Sequence, residues 1–422
     1  MPFRFVHTAD LHLDSPLRSL ALKDPELARL LRGATRTALS RIVDLCLEES
    51  VDALLIAGDL YDGSQTSMNT ALFLSGELRR LDAAGIRVFI IRGNHDAQAL
   101  MTRELTLPAS THVFAGRAKA IEAGALGDGR PVFIHGISFA QPQAPESLLP
   151  HYHPPRPEAI NIGMLHTSLA GGEGHDPYAP CSLADLGRHG FDYWALGHVH
   201  RRMVHAQNPF VVMPGIPQGR DINESGTKSV TLVTIGDDGR LALEERPVGM
   251  AAFERLTVDL SGLQAWPEML DATAAAIAGV KRAATADHLI LRLVLTGATG
   301  LDWRLRRDAD LVTGEIANLC AAAGGVWIEG VVIETAAPRV AAATSADPLI
   351  ELESLVAAEV LPSEAFQDEV LAMARELMLQ LPPEARALLE SEEGAAGRLA
   401  ARSAGQGSAA LLAVLRSEEA SG

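Results

Sequence analysis

The chain has 422 residues, of which 47% are hydrophobic and 21% are charged, and its formal net charge is −17 at pH 7. This length predicts two or three globular domains, and the acidic balance argues against nucleic-acid binding through bulk positive charge. The sequence has no run of about 18 uncharged apolar residues, which argues against a membrane span. Because the N-terminus shows no signal-peptide pattern and Cys46, Cys181 and Cys320 are widely spaced, we expect a cytoplasmic protein without disulfides.

The first hundred residues alternate short apolar runs with longer amphipathic segments. The runs "FRFVHTA", "DALLIAGDL" and "RVFIIRGN" predict strands, and helices are predicted over residues 24–49 and 67–84. This order predicts a βαβαβ arrangement with a largely parallel sheet.

The strands after Arg130 are shorter and are separated by turns. They are predicted at "PVFIHG", "AINIGMLHT", "YWALGHVH", "FVVMPG" and "KSVTLVTI". We expect these strands to form a second sheet that packs on the first. The segment "IGDDGRLALEERPV" predicts a hairpin with an Asp-Gly turn, which would close a first domain over residues 1–249.

A second pattern begins near residue 250. It predicts a small β-α-β-α-β domain over residues 250–336, with helices around 266–278 and 308–323. Residues 337–422 predict a linker and an acidic helical region. Residues 345–422 hold 14 acidic and 5 basic residues, so −9 of the net charge of −17 lies there. The overall charge therefore weakens a nucleic-acid interpretation without excluding it.

Residues of the types that commonly bind metal ions follow the predicted strands of the first 200 residues. They are Asp10 and His12 in "TADLHLD", Asp59 in "IAGDLYDG", Asn94 in "RGNHD", His166 in "GMLHTS", and His198 and His200 in "LGHVH". In an open α/β sheet the carboxyl ends of parallel strands meet at one edge, so these residues can share a pocket. In "DLH" and "HVH" the i, i+2 spacing would place both side chains on one face of an extended segment.

This set of carboxylates, imidazoles and one carboxamide, with no thiolate, suits Mn²⁺, Fe²⁺ or Zn²⁺. Each motif alone has a simpler interpretation as an ordinary turn or as a hydrogen-bonded polar residue at a strand end. Their joint occurrence, each at the end of a strand, favours a metal site.

These motifs resemble those of the calcineurin-like metallophosphoesterases, whose pattern is D-x-H, G-D, G-N-H-D/E, H and G-H-x-H. A closer resemblance to the SbcD/YhaO-type DNA repair exonuclease family is carried by "HTADLHLDSPL", "GDLYDG", "DYWALGHVHRR" and "PGIPQGRDINE". The resemblance implies an α/β fold, a four-layer sandwich of two mixed sheets flanked by helices. It also implies a small capping domain that controls DNA access and a helical C-terminal region.

The resemblance also implies the roles of the site residues. It implies two divalent metal ions, Mn²⁺ in the first place, with Fe or Zn as alternatives. One ion would bind Asp10, His12, Asp59 and His200, and the other would bind Asp59, Asn94, His166 and His198. His95 would assist the leaving oxygen, and Asp96 would orient the His95 ring. Some relatives carry a histidine where this chain has Asp62. We interpret Asp62 in one of two ways: it orients His95 or a water, or it caps a turn.

The implied reaction is hydrolysis of DNA phosphodiester bonds by an exonuclease of DNA repair, in which hydroxide activated by the two metals attacks the phosphate. Six arginines are interpreted as steering phosphates or as solvated surface charge: Arg18, Arg92, Arg103, Arg201, Arg202 and Arg220. The alternatives are a phosphodiesterase or phosphatase for small nucleotides, and a non-catalytic scaffold. We expect the tail to dock a coiled-coil ATPase of the SbcC or YhaN type, and the resemblance implies a homodimer.

Overall fold

The computed structural model describes residues 1–15, 25–62, 67–97, 107–169, 178–338, 348–381 and 394–419. Arg18, Arg103 and nearly all of the predicted linker lie outside this part of the chain. The chain divides into two compact units. The first contains residues 1–255, 281–291 and 325–329, and the second contains residues 256–280, 292–324 and 330–422. Within the described ranges, no helix has the length and apolarity needed to cross a bilayer.

Two six-stranded sheets are formed within residues 1–249. In chain order their strands are β1 (Phe3–Thr8), β2 (Ala53–Ala57), β3 (Arg87–Ile91), β4 (Thr111–Val113), β5 (Lys119–Ala125), β6 (Pro131–Gly136), β7 (Ile160–His166), β8 (Tyr193–Gly197), β9 (Met203–Gln207), β10 (Phe210–Met213), β11 (Ser229–Ile235) and β12 (Leu241–Pro247). The first sheet has the order β12-β11-β1-β2-β3-β4, in which β1 to β4 are parallel. The second has the order β5-β6-β7-β8-β10-β9, with β6, β7, β8 and β10 parallel.

Helices α2 (Ala34–Glu48) and α3 (Met68–Ala83) cover the outer face of the first sheet, and α4 (Leu183–His189) packs on the second. The preceding helix α1 (Pro25–Arg32) instead packs its buried Leu27 and Leu31 with Ile222, Phe253 and Ile290. The helix predicted over residues 24–49 is interrupted at Gly33. Ser67 caps α3, because its side chain accepts a hydrogen bond from the Thr70 amide.

The buried strand β2, "ALLIA", shows how the layers are built. Leu54 and Ile56 pack with the apolar residues of α2 and α3, whereas Leu55 points into the core between the two sheets. On the far side of the second sheet, Trp194 of β8 packs with Leu186 of α4. This order of helix, sheet, sheet and helix is a four-layer sandwich, and it confirms the predicted fold class.

The prediction that "KSVTLVTI" belongs to the second sheet was wrong. This segment forms β11, which pairs antiparallel with β1 in the first sheet. Its side chains are buried on both faces: Val230 and Leu232 lie in the core under α2 and α3, and Val233 lies between the sheets. A strand that is apolar on both faces fits the middle of either sheet, so its pattern does not distinguish them.

The region after residue 250 contains the three predicted strands and both predicted helices, with one additional short helix. The elements are β13 (Ala251–Asp259), α5 (Trp266–Ala283), β14 (His288–Ala298), α6 (Asp302–Arg307), α7 (Ala309–Ala323) and β15 (Val326–Ala336). The strands form a sheet in the order β13-β14-β15. The C-terminal region is helical, as α8 (Pro348–Leu355), a π-helical turn (Val356–Val360), α9 (Glu364–Gln380) and α10 (Ala395–Glu419).

Candidate metal centre

Five parallel strands end where the predicted ligands begin. Asp10 and His12 follow β1, Asp59 follows β2 and Asn94 follows β3 in the first sheet. In the second sheet, His166 is the last residue of β7, and His198 and His200 follow β8. The two sheets therefore bring residues from positions 10 to 200 together, as predicted from the strand ends.

The backbone at several of these residues has a conformation that L-residues rarely adopt. The φ angles of Asp10, His12, Asp59 and His198 are +53°, +41°, +51° and +102°. The expectation that "DLH" and "HVH" are extended was therefore wrong, and the side chains converge through left-handed turns. Backbone bonds hold the strained loop after β1, since the amides of Asp10 and His12 donate to the carbonyls of Gly58 and Asp59 at 2.9 and 3.0 Å.

One group of ligand atoms is formed by Asp10, His12 and His200, whose atoms lie within 4.8 Å of one another. The Nε2 atoms of His12 and His200 are 3.2 Å apart. Both carboxylate oxygens of Asp10 accept the His198 amide, at 3.1 and 3.0 Å. Burial raises the pKa of Asp10 to about 6, although neighbouring histidines oppose this shift.

A second group is formed by Asp59, His166 and His198, again within 4.8 Å. Nε2 of His166 lies 3.3 Å from Asp59 Oδ2 and 3.1 Å from Asn94 Oδ1. The same oxygen of Asp59 lies 4.0 Å from Nε2 of His12, which belongs to the first group. Asp59 is therefore the residue placed between the two groups, as expected of a bridging ligand.

The hydrogen bonding of His166 tests whether a cation fits here. Its Nδ1 is 2.9 Å from the Ala57 carbonyl oxygen, which can only accept, so Nδ1 carries the proton of a neutral ring. Nε2 then turns a lone pair towards the oxygens of Asp59 and Asn94. Nε2 and these two oxygens are three acceptors that face one another, so they need either a second proton or a metal cation between them. Burial lowers the pKa of His166, but Asp59, Asp10 and the Ala57 carbonyl together outweigh burial and raise this pKa to about 9.

These donors are the oxygen and nitrogen ligands that divalent cations use in proteins. The backbone carbonyl behind His166 is a partner that metal-bound histidines commonly have. Both observations favour a metal cation at this position, and Asp10, His12, Asp59, Asn94, His166, His198 and His200 are the residues that would hold a pair of such ions.

His95 lies beside the two groups and is partly exposed. Its Nδ1 is 2.9 Å from Asp62 Oδ1, and its amide donates to Asp59 Oδ1 at 3.0 Å. The hydrogen bond with Asp62 raises the pKa of His95 above its ordinary value. The same bond lowers the pKa of Asp62.

The expectation that Asp96 orients the His95 ring was wrong. The carboxylate of Asp96 is buried, and it accepts the amides of Gly93 and Leu60 at 2.7 and 3.0 Å. Its role is to join the loops that follow β2 and β3. Of the two interpretations left open for Asp62, the structure supports the one in which it orients His95.

A cleft of about 770 Å³ opens from the site, and its walls include Asp59, His95, His198, His200, Arg201, Arg202 and Lys228. Arg201 is exposed in this cleft. Arg202 lies against Thr231 and 3.4 Å from Glu245. Two of the six predicted phosphate contacts, Arg201 and Arg202, thus line the cleft.

Arg220 was interpreted as steering phosphates or as solvated surface charge, but both its side chain and its amide bind Glu224. Its Nη2 donates to Glu224 Oε1 at 2.8 Å, and its amide donates to Oε2 of the same residue at 2.7 Å. Glu224 in turn lies 2.6 Å from Nδ1 of His200. Sequence reasoning missed Glu224, although it ends the segment "PGIPQGRDINE". Burial opposes the shift, but His200 and Arg220 hold the pKa of Glu224 well below its ordinary value.

Comparison with known proteins agrees with this arrangement. A family described as "Calcineurin-like phosphoesterase" matches residues 3–202, and "Metallophosphoesterase YhaO, middle domain" matches residues 253–336. The chain is 34% identical over 304 residues to the "Uncharacterized metallophosphoesterase YhaO" of Bacillus subtilis, covering 71% of this chain and 73% of that protein. The protein belongs to the calcineurin-like metallophosphoesterases, and within them to the YhaO family.

Two further similarities are more distant. The "DNA double-strand break repair protein Mre11" of Sulfurisphaera tokodaii is 26% identical over 204 residues, which cover 48% of this chain and 50% of that protein. A crystal structure of a dimetal phosphatase from Danio rerio has a TM-score of 0.35 at 12% identity, covering 58% of this chain and 97% of that one.

Proposed function

We propose that this protein is a metal-dependent exonuclease that hydrolyses phosphodiester bonds in DNA and acts in DNA repair. The observation that carries the proposal is the position of Asp59. One of its oxygens lies 3.3 Å from His166 and 4.0 Å from His12. This carboxylate therefore lies between the two groups of ligand atoms. His95, an ionisable residue, lies beside them and lines the same cleft. A pair of divalent cations, in the first place Mn²⁺, fits that donor set.

When bound, two such cations supply positive charge for the phosphoryl oxygens and favour deprotonation of the attacking water. The protein's own residues would hold the ions and protonate the leaving group. Asp62 lies against Nδ1 of His95 and raises the pKa of the ring, which favours the imidazolium form with a proton on Nε2. His95 would donate that proton to the departing sugar oxygen.

DNA is the proposed substrate because of the cleft and the relatives. Arg201 and Arg202 line the cleft beside His95 and would contact backbone phosphates. A relative that is 26% identical over 204 residues is named as a DNA double-strand break repair protein. Residues 345–422 hold −9 of the net charge of −17, so the rest of the chain is less acidic than the total suggests.

The proposal is tested with Mn²⁺ and end-labelled linear DNA, beside bis-p-nitrophenyl phosphate as a generic diester and with His95→Ala as the variant. Progressive shortening of the DNA from its ends, lost in His95→Ala, is the expected result. Cleavage of the small diester with intact DNA would instead favour a phosphodiesterase for small nucleotides. Failure to cleave either substrate, also with the partner ATPase present, would favour a non-catalytic scaffold.

We also propose that the middle domain governs which DNA ends reach the metal centre, and that the C-terminal region docks a coiled-coil ATPase. Leu352 and Leu355 of α8 are exposed, as are Leu377 of α9 and Leu411 of α10. Such exposed apolar side chains suit a helix-in-groove contact. Deletion of residues 345–422 is expected to abolish co-purification with an ATPase of the SbcC or YhaN type, and unchanged co-purification would contradict the docking proposal.

A further inference from the structure

The two ring nitrogens of His200 have different surroundings. Nε2 faces the first group of ligand atoms, 3.2 Å from Nε2 of His12. Nδ1 is turned away from that group and lies 2.6 Å from Oε1 of Glu224. An ionised carboxylate can only accept hydrogen bonds, so the proton of a neutral His200 ring lies on Nδ1. Nε2 is then left with its lone pair towards the metal site.

Glu224 is itself held by Arg220. Nη2 of Arg220 donates to Oε1 at 2.8 Å, and its Nε lies 3.2 and 3.3 Å from the two oxygens of the same carboxylate. Nη2 of Arg220 also lies 3.2 Å from Nδ1 of His200. Both of these nitrogens are donors, so their short separation follows from their sharing one acceptor, Oε1 of Glu224.

The backbone around Glu224 fixes where its carboxylate can be. A short 3-10 turn, Ile222–Glu224, begins after Asp221, whose side chain accepts the Asn223 amide at 2.7 Å. Ile222 is buried in an apolar cluster with Phe253. A Cβ at Gly219 would lie 2.8 Å from the Glu224 carbonyl oxygen, which leaves the turn no room for a larger residue there.

We propose that Glu224 is a positioning residue that fixes His200 in the Nδ1–H form, and that it thereby completes the metal subsite of Asp10, His12 and His200. Arg220 holds Glu224 in place and is not a DNA contact. This inference rests on the metal site of the proposed function, but it concerns the site's assembly and not the reaction. Carboxylates behind metal-binding histidines typically change metal affinity by about 10–100-fold.

The subsite not supported by Glu224 provides an internal reference. His166, in the group with Asp59 and Asn94, has the Ala57 carbonyl behind it instead of a carboxylate. Loss of Glu224 should therefore weaken one of two ions and leave the other unchanged. A general loss of folding would weaken both.

The test uses the full-length protein with Glu224→Gln, Glu224→Ala and Arg220→Ala. Glu224→Gln keeps the size and an accepting oxygen while removing the charge. Glu49→Gln is the matched control, since Glu49 is likewise bound by arginines, Arg4 and Arg246, away from the site. Mn²⁺ binding is followed by calorimetry and by electron paramagnetic resonance of free Mn²⁺, and the tautomer of His200 is followed in the metal-free protein by nitrogen-15 NMR.

We expect two Mn²⁺ ions in the wild type and in Glu49→Gln. In Glu224→Ala, one ion should bind about 10–100-fold more weakly, and His200 should lose its preference for the Nδ1–H form. Glu224→Gln and Arg220→Ala should give smaller changes in the same direction. Wild-type affinity at both sites with an unchanged tautomer would overturn the inference, as would equal weakening of both sites in a folded variant. A wild type that binds two Mn²⁺ ions but cleaves no diester would refute the proposed function alone.

Discussion

Gly93 lies where an added methyl group would press on two predicted metal ligands. A Cβ built at this residue lies 2.3 Å from Asp59 Oδ1 and 2.6 Å from His166 Nε2, whereas ordinary van der Waals contact begins near 3.4 Å. In Gly93→Ala, the Asp59 oxygen would have to retreat by about 1 Å. That oxygen also accepts the His95 amide at 3.0 Å, so the shift would disturb the proposed proton donor as well.

The expected magnitude follows from this displacement. Overpacking a tightly filled position typically costs about 1–3 kcal/mol in the free energy of unfolding. Misplacement of a reacting group by about 1 Å can cost roughly a hundredfold in rate. We therefore expect Gly93→Ala to unfold at lower urea concentration, to bind Mn²⁺ more weakly, and to hydrolyse bis-p-nitrophenyl phosphate about a hundredfold more slowly.

The matched control is Gly76→Ala in helix α3, where a Cβ would meet nothing within 4 Å. Alanine in an open helical position should increase the free energy of unfolding by about 0.5–1 kcal/mol. Its metal affinity and turnover should equal those of the wild type. If Gly93→Ala bound Mn²⁺ and turned over the diester like Gly76→Ala, the close approach of Gly93 to the two ligands would have no functional consequence.

Three further changes test other contacts. Asp62→Asn should slow DNA hydrolysis at least tenfold and that of bis-p-nitrophenyl phosphate much less, because a nitrophenolate needs little protonation; equal losses would contradict its action through the proton donor. His7 has its pKa lowered by burial to about 3 from 6.5, so only the unfolded state gains this proton as pH falls below 6.5. In urea unfolding, the free energy of unfolding should therefore fall by up to about 1.4 kcal/mol per pH unit below pH 6.5. In His7→Gln the free energy of unfolding should depend less steeply on pH. In Gly163→Ala, a Cβ would lie 2.5 Å from the Trp194 ring, so unfolding should be easier by about 1–3 kcal/mol at unchanged Mn²⁺ affinity.

The sequence predicted the ends of the ligand-bearing strands well, because each is a short apolar run with a predicted ligand at its last residue or within three residues after it. It also predicted that these ends meet, since parallel strands place their carboxyl ends at one edge. The pattern of β11 did not reveal its sheet. β11 is antiparallel to β1 and apolar on both faces, and only its pairing with β1 assigns it to the first sheet.

The roles of the two aspartates near His95 could not be read from sequence distance. Asp96 is adjacent to His95 in the chain, yet its carboxylate bonds the Leu60 amide in the loop after β2. Asp62 lies in that loop, yet its carboxylate contacts His95 in the loop after β3. Each loop thus supplies a carboxylate to the other. Such an exchange depends on how two loops cross, which local sequence does not encode.

The D-x-H motif shows the same limit from the side of backbone conformation. Its i, i+2 spacing suggests a continuing strand, but both Asp10 and His12 have positive φ angles. Such conformations cost about 1–3 kcal/mol each and persist only where the surroundings impose them. Here the loop after β2 imposes them, because its carbonyls at Gly58 and Asp59 accept the amides of Asp10 and His12. The motif therefore marks two strained residues that a neighbouring loop holds in place. The ligands that follow β1 are positioned in part by the backbone of Asp59, the residue that lies between the two groups of ligand atoms.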